Sequence, residues 1–464
     1  MGYDMTQGKP MKLVFGFAMP MMIGSLFQQL YNTVDAVIVG KYEGPDALAA
    51  IGAAFPLMFF MMSVIIGMTM GVSVIISQLY GAGDRNGLQK AVSTSMIFLV
   101  GMSVVMTAVG LVIIDPLLAL TRTPADIHLL CADYLRVIVW GGVFNVLYNA
   151  YTAILRGMGD SKTPVLFLAA AALSNIVLDL IFVVQFRMGV KGVAIATVMA
   201  QAISAILCVV YSSVKIPILR LRLKELTFDK EMFRHIVSFG VPTAIQQSIV
   251  SLGMMSVQGL VNSFGSVTMA GYTAANKIDS FAMQPSMNFG NALSSFVGQN
   301  VGAGDFERSQ KGLRETLKMS VAFCVMASVI MVAFSHQLLS IFMDEGNEAV
   351  IAVGAEYLTV MASCYFLMAT MHAFSGFFRG TGYTRMALYM SITSLGVRIV
   401  TSYALAPVIG ASAIWWGLPV GWLTTVLLGM YAYRQGKWKN FALVKARHKD
   451  WEEDMPEKIW AENE

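Results

Sequence analysis

Charged residues and cysteines are both scarce in this sequence. Asp, Glu, Lys and Arg make up 13% of the 464 residues, against roughly a quarter in soluble domains, while 56% of the residues are hydrophobic. A water-soluble chain of this length would need more charge to cover its surface, so soluble enzymes and nucleic-acid-binding proteins are excluded. The four cysteines lack metal-ligand spacing and are too few for a secreted disulfide scaffold, so they are predicted to be buried thiols.

Most of the sequence consists of long apolar runs. The mean hydropathy is +0.64, and runs such as Leu13–Val39 and Val92–Ile114 reach the length of about 20 residues that crosses a bilayer. The first run is too long for a cleavable signal peptide and is predicted to remain as the first span. Charged or Gly/Pro-containing breaks predict twelve spans, near residues 13–40, 51–80, 91–114, 128–155, 164–185, 192–214, 236–264, 270–300, 312–340, 350–378, 386–408 and 412–433.

The positions of the basic residues test this topology. If both termini lie on one side, that side receives 25 of the 32 lysines and arginines and the opposite side receives four. The other three, Arg136, Lys277 and Arg398, lie within spans or at their ends. Because basic residues accumulate in cytoplasmic loops, the distribution predicts a multi-pass protein of the cytoplasmic (inner) membrane with both termini in the cytoplasm.

The chain repeats itself at an offset of 221 to 223 residues. Gly-Ala-Gly-Asp occurs at 81–84 and again at 302–305, and Arg-Gly-x-Gly begins at Arg156 and again at Arg379. Each copy contains six predicted spans, an even number, so the two copies are expected to enter the membrane with the same polarity as parallel six-helix bundles. The predicted organisation is an N-lobe (1–214), a basic cytoplasmic linker (215–234), a C-lobe (235–434) and a charged cytoplasmic tail (435–464).

Acidic residues within the first lobe are the main functional candidates, because a carboxylate at membrane depth is costly to keep. Asp35 lies in the first span and Asp179 in the fifth, where Asn175 precedes it by four residues and shares its helix face. If the two acids converge, either one carries a proton or a cation lies between them. Asn175 and Thr197, on the sixth span, would add neutral oxygens to such a site. The residues do not distinguish H⁺ from Na⁺.

A third acid, Asp279, lies in the eighth span. One interpretation makes it functional, and the other makes it half of an ion pair with Lys277 near the outer face.

Other residues within the spans are candidates for shape change and substrate contact. Pro20 in the first span removes a backbone hydrogen bond and predicts a kink, which is either static or coupled to the state of Asp35. Four polar side chains at membrane depth are predicted either to line a substrate pocket or to join helices: Gln29, Asn32, Asn145 and Asn149.

Several motifs in combination resemble the multidrug and toxic compound extrusion (MATE) family of cation-coupled antiporters. The resemblance extends from about Leu13 to Arg434. It is carried by the spacing of Pro20 and Asp35, by Tyr-Asn-Thr-Val-Asp-Ala-Val-Ile-Val-Gly at 31–40, by Gln-x-x-Gly-Ala-Gly-Asp at 78–84 and by Ile-Leu-Arg-Gly-Met-Gly-Asp-Ser-Lys-Thr-Pro at 154–164.

The resemblance implies a V-shaped pair of lobes and export of organic, often cationic, drugs in exchange for H⁺ or Na⁺, with no cofactor, by a monomer in the lipid bilayer. It also implies an N-lobe cation site, whose matching residues here are Asp35, Asn175, Asp179 and Thr197. Some members carry a second site with acids on the seventh and tenth helices. This chain has Gln247 and Met368 there, so coupling is expected in the first lobe.

Two other functions are compatible with parts of the sequence pattern. A lipid-linked saccharide flippase would share the fold but should line its cavity with Arg or Lys, and few basic residues lie within the spans. An intramembrane aspartyl protease also carries Gly-x-Gly-Asp, but Asp84 and Asp305 begin loops beside arginines and are better interpreted as turn residues. The chain lacks a nucleotide-binding Gly-rich Lys loop, so ATP is not the expected energy source.

Overall fold

The structure is a computed structural model that describes residues 4–121, 123–220, 226–340 and 347–443. These ranges contain helices and turns and no strand, so the predicted all-α membrane fold is confirmed. Arg122, residues 221–225 of the predicted linker and the predicted tail from residue 444 onward lie outside the described residues. The α-helices of the described ranges, in chain order, are α1 Pro10–Tyr42, α2 Pro45–Ala82, α3 Arg85–Leu120, α4 Ala125–Trp140, α5 Gly142–Gly157, α6 Lys162–Asp179, α7 Gly189–Lys215, α8 Lys230–Ser263, α9 Ser266–Gly302, α10 Phe306–Ala333, α11 Ser335–Ser340, α12 Glu348–Ser363, α13 Tyr365–Gly380, α14 Thr384–Ile409 and α15 Ser412–Gln435.

The helices reproduce the predicted spans once broken helices are counted as single spans. In the described chain, eight helices are long and apolar enough to cross a membrane, and up to ten if two bent pairs are included. The pairs are α4 with α5, bent by 46°, and α12 with α13, bent by 52°. The two other long helices, α8 and α9, contain more polar residues and complete the twelve.

The described chain forms two compact units. The first unit contains Met19–Val241, and the second contains Asp4–Ala18 with the described residues from Pro242 onward. The segment before α1 and the first turns of α1 therefore pack with the second repeat. The described residues of the linker and the start of α8 pack with the first repeat.

The two Gly-Ala-Gly-Asp motifs each end one helix and begin the next. Gly83 (φ 71°) and Gly304 (φ 78°) adopt left-handed backbone conformations, which glycine accepts at little steric cost. The carboxylates of Asp84 and Asp305 each accept a hydrogen bond from the backbone N–H three residues later, at 2.8 Å in both cases. These aspartates are helix N-caps, which confirms the turn interpretation and argues against an aspartyl protease.

The second unit contains a backbone-to-backbone contact between α9 and α13 that only glycine permits. A Cβ atom added at Gly376 would lie 2.0 Å from the carbonyl oxygen of Gly290, and a Cβ at Gly290 would lie 2.7 Å from the carbonyl oxygen of His372. Small residues allow membrane helices to approach this closely, and van der Waals contact between their backbones then stabilises the pair.

The segment before α1 is anchored in the second unit by its backbone. Met5 is fully buried, and its N–H donates to the Gln299 side-chain oxygen at 2.9 Å. Its carbonyl oxygen accepts hydrogen bonds from the Asn300 amide at 3.1 Å and from the Arg308 guanidinium at 3.2 and 3.3 Å. One buried residue is therefore held by three side chains of the second repeat.

The segment before α8 is anchored in the first unit in a comparable way. The Asp229 N–H donates to the Thr94 hydroxyl at 3.0 Å. The Asp229 carboxylate accepts from the N–H groups of Glu231 and Met232 at 2.9 and 3.0 Å and pairs with the Lys90 ammonium at 3.4 Å. The hydrogen bond from Met232 and the attraction of Lys90 hold the pKa of Asp229 below its usual range.

Candidate functional site

Asn175 and Asp179 lie one turn apart at the end of α6, and both are 0% exposed. Asp179 is the last α-helical residue, and the chain continues as a π-helical turn, Leu180–Gln185. After this turn the N–H of Phe186 donates to the carbonyl oxygen of Ile181, five residues earlier, at 2.9 Å. Such wider turns interrupt α-helices frequently at functional sites. The break in the regular helix thus begins directly after the buried carboxylate.

Asp35 on α1 lies close enough to Asp179 for the two carboxyl groups to interact electrostatically. Within the described residues, five buried atoms of this site have no hydrogen-bond partner: one Asp35 oxygen, both Asp179 oxygens, and the oxygen and nitrogen of the Asn175 amide. Buried polar atoms in proteins normally have a partner. Unpartnered oxygens gathered from two helices have the character of ligands for a proton or a cation.

Hydroxyl groups border the two carboxylates. Thr197 on α7 is 7% exposed, and its side chain lies close to the Tyr31 hydroxyl. Tyr31 and the buried Tyr134 of α4 both interact electrostatically with Asp35 and Asp179. The structure therefore brings together the four residues proposed from the sequence and adds two tyrosines. The signal for Tyr31 was present, because it precedes Asp35 by one helical turn.

The donor set of this cluster is rich in oxygen and has no soft ligand. Among the described residues, no group of three or more His, Cys, Asp or Glu is placed to hold a metal ion. Two carboxylates, one amide oxygen and hydroxyl oxygens suit a proton or a hard cation such as Na⁺ rather than a transition metal, which prefers nitrogen or sulfur.

The four residues proposed for the substrate pocket lie on two helices. On α5, the Asn149 amide donates to the backbone carbonyl and to the side-chain oxygen of Asn145, at 2.9 and 3.0 Å. On α1, Gln29 is half-buried and Asn32 is exposed. The structure thus joins the two asparagines within one helix. Pro20 lies inside α1 as expected, where it cannot donate a hydrogen bond to the carbonyl of Gly16.

Asp279 has different partners from those expected. It is 1% exposed, and its two oxygens accept hydrogen bonds from the hydroxyls of Tyr357, at 3.2 Å, and Tyr365. Lys277 is exposed. The interpretation as a Lys277 ion pair is therefore wrong, because residues two apart on a helix do not face each other.

Comparison with known proteins agrees with the internal repeat. A family model described as MatE matches residues 20–181 and again residues 242–404. The probable multidrug resistance protein YoeA of Bacillus subtilis (strain 168) is 30% identical over 446 residues, covering 92% of this chain and 94% of that protein. YpnP of the same organism, another probable multidrug resistance protein, is 29% identical, covering 95% and 98%.

Solved structures show the same fold. A multidrug resistance MATE family transporter of the MOP superfamily, in an outward-facing conformation, superimposes with a TM-score of 0.87. The match covers 94% of this chain and 97% of that chain at 24% sequence identity. The two segments matched by the family model begin at Pro20 and Pro242, which are equivalent positions of the internal repeat.

Proposed function

This chain belongs to the MatE family of multi-pass membrane transporters, which are not enzymes, and from that premise we propose that it is a secondary antiporter. It exports organic cations, such as drugs or toxins, in exchange for H⁺ or Na⁺. The names of the relatives, which are multidrug resistance proteins, support export of small organic compounds. The protein acts as a monomer in the cytoplasmic membrane with both termini in the cytoplasm, and it needs no cofactor.

The observation that carries this proposal is the pair of neighbouring carboxylates in the first unit, of which Asp179 is buried and Asp35 is half-buried. Asp35 and Asp179 interact electrostatically, and both oxygens of Asp179 lack a hydrogen-bond partner among the described residues. Two carboxylates in a low-dielectric site repel each other strongly when both are ionised. A proton or a Na⁺ ion removes that repulsion. The site therefore favours binding of H⁺ or Na⁺ when no exported organic cation is present to neutralise the carboxylates.

Exchange follows from this electrostatic competition. The site binds a cation that enters from outside the cell, and the bound charge lowers the affinity for a cationic compound, which is released there. Loss of the ion on the inner side restores the negative charge and with it the affinity for the next compound. The ion and the compound therefore take turns in neutralising the same carboxylates.

The first helix is proposed to transmit the change. Pro20 and Asp35 are 15 residues apart in α1, about 22 Å along a helix that rises 1.5 Å per residue. Pro20 leaves one backbone carbonyl of the helix without its donor, which makes bending easiest there. Gln29 and Asn32 lie between the two positions and, with Asn145 and Asn149, are proposed to contact the exported compound.

The test is dye transport by purified protein in liposomes. A fluorescent cationic dye is followed under an imposed pH gradient and, separately, under an imposed Na⁺ gradient. One of the two gradients drives dye movement in the wild type, and both fail in Asp35→Asn. Asp115→Asn is the matched control, because Asp115 is a half-exposed acid of the same unit, paired with Arg136 at 3.1 Å. Gradient-driven transport that is unchanged in Asp35→Asn would disprove the proposed site.

The alternative function is transfer of a lipid-linked saccharide by the same fold. The described site argues against it, since acids rather than bases are gathered there and the pyrophosphate of such a lipid is anionic. Transport of a fluorescent pyrophosphate-linked lipid without any dye transport would favour the alternative.

A further inference from the structure

The helices of the two units allow a residue-by-residue comparison of their interiors. Three helices of the second half begin 223 residues after their counterparts: α12 after α4, α13 after α5 and α15 after α7. The same offset relates the Arg-Gly-x-Gly motifs that precede α6 and α14. Each residue from α4 to α7 therefore has an equivalent 223 positions later.

At this offset of 223 residues, one residue of the candidate cation site is the same in the second half and two residues are different. Tyr134 has Tyr357 as its equivalent, Asn175 has Arg398, and Asp179 has Ser402. A guanidinium thus stands in the second unit at the position where the first unit has a candidate ligand for the exchanged cation.

The surroundings of Arg398 form a buried polar pocket. Asp279 accepts hydrogen bonds from Tyr357 and Tyr365 and interacts electrostatically with Arg398. Arg398 is 8% exposed, and in the described part of the chain its Nε atom has no hydrogen-bond partner. Ser402 is fully buried on the same helix, one turn further on. One acid and one fixed cation therefore lie together in this pocket.

Three aromatic side chains pack together beside Asp279. Tyr272, Tyr357 and Trp415 contact one another with ring centroids 5.2 to 5.7 Å apart, and all three side chains are buried. These packed rings lie beside the acid, because Tyr357 also donates to the Asp279 carboxylate.

The two pockets differ in the number of their carboxylates and in whether a basic side chain is present. In the first unit, two carboxylates interact and the described cluster around them contains no Lys or Arg. In the second, the single carboxylate of Asp279 is attracted by the Arg398 guanidinium. An arginine in a protein keeps its proton under all ordinary conditions, so this positive charge does not leave.

We propose that Arg398 is a tethered cation that takes, in the second unit, the place of the exchanged ion in the first. The pocket of Asp279 is thereby neutral at all stages of transport and binds no ion from solution. The molecule then has one exchangeable ion site, in the first unit, although its two halves have the same fold. This inference rests on the proposed antiport. It predicts how the number of bound ions changes when the Arg398 guanidinium is removed.

The experiment counts ions bound at equilibrium by the purified full-length protein in detergent. Radioactive sodium is counted by scintillation proximity, and protons are counted by a pH-indicator dye. Arg398→Gln is expected to bind one more proton or Na⁺ per molecule than the wild type, because Asp279 has lost its counter-ion. The double variant Arg398→Gln with Asp279→Asn returns to the wild-type count, and Arg398→Lys keeps it.

Two results would overturn the proposal. One is an unchanged count in Arg398→Gln that retains the wild-type melting temperature. The other is a count one ion lower than that of the wild type in the single variant Asp279→Asn, which would mean that Asp279 binds an exchangeable ion in the wild-type protein. This measurement tests the proposal even if Arg398→Gln does not fold. Failure of the antiport itself is distinguishable, because Asp35→Asn would then bind as many ions as the wild type while Arg398→Gln still gains one.

Discussion

Replacing Asp179 by Asn separates charge from shape at the candidate cation site, because the amide has nearly the size of the carboxylate. Asp179 is 0% exposed, and neither of its oxygens has a partner in the described residues. Two unit charges 4 Å apart interact by about 4 kcal/mol at an effective dielectric constant of about 20. A cation held by both carboxylates loses one such attraction in Asp179→Asn. Since about 1.4 kcal/mol corresponds to a tenfold change, the affinity for the ion should fall roughly a thousandfold.

The assay is the ion dependence of dye transport in liposomes. The ion concentration on the trans side is varied, and the concentration for half-maximal dye movement is compared between Asp179→Asn and the wild type. If Na⁺ couples, the half-maximal concentration rises about a thousandfold. If H⁺ couples, the midpoint moves by about 3 pH units toward acid, because a weaker proton site fills only at lower pH. Asp179→Glu, which keeps the charge, should recover part of the loss.

The reasoning would be refuted by a half-maximal concentration in Asp179→Asn within about threefold of the wild type, for a variant that inserts and melts normally. That result would mean that the second carboxylate contributes little attraction, so the pair is not the ion site. A matching loss in Asp115→Asn would instead indicate a general electrostatic effect of the first unit.

The other predictions concern stability. Gly376→Ala should destabilise the protein by about 3 kcal/mol or more, because its new methyl would lie 2.0 Å from the Gly290 carbonyl oxygen and α9 and α13 must separate. Gly396→Ala in α14, where a Cβ would meet no atom within 4 Å, should be neutral or stabilising, and thermal unfolding in detergent compares the two. Asp229→Ala should cost about 1 kcal/mol at neutral pH, as other lost N-caps do. Because folding lowers the pKa of Asp229, its stabilisation is present above about pH 4 and disappears as the pH falls below that, so the melting temperatures of Asp229→Ala and the wild type should converge in acid.

The membrane class, the span positions and the repeat were predictable because they depend on properties summed over many residues. Long apolar runs indicate where the chain crosses the bilayer. The bend between α4 and α5 does not alter the predicted span, because both helices are apolar. The units were less predictable. The positions of Asp4–Ala18 and of the linker follow from a few specific contacts, such as the Met5 hydrogen bonds, which leave no periodic pattern in the sequence.

The candidate site was predictable where rare residues marked it. Asp35, Asn175 and Asp179 stand out because polar groups are costly in a bilayer. Tyr134 does not stand out, since an aromatic residue in an apolar span is normally part of the core. Asp279 was misinterpreted because its true partners, Tyr357 and Tyr365, are about 80 residues away, and only the folded chain brings them together.

The buried Met5 has a practical consequence for how the protein is handled. A purification tag or fluorescent reporter inserted immediately before Asp4 would join the chain next to a residue whose backbone is held by Gln299, Asn300 and Arg308. Bulky fusions at that end will compete with the anchor and weaken the packing of the second repeat. Handles for immobilisation or detection belong away from this segment.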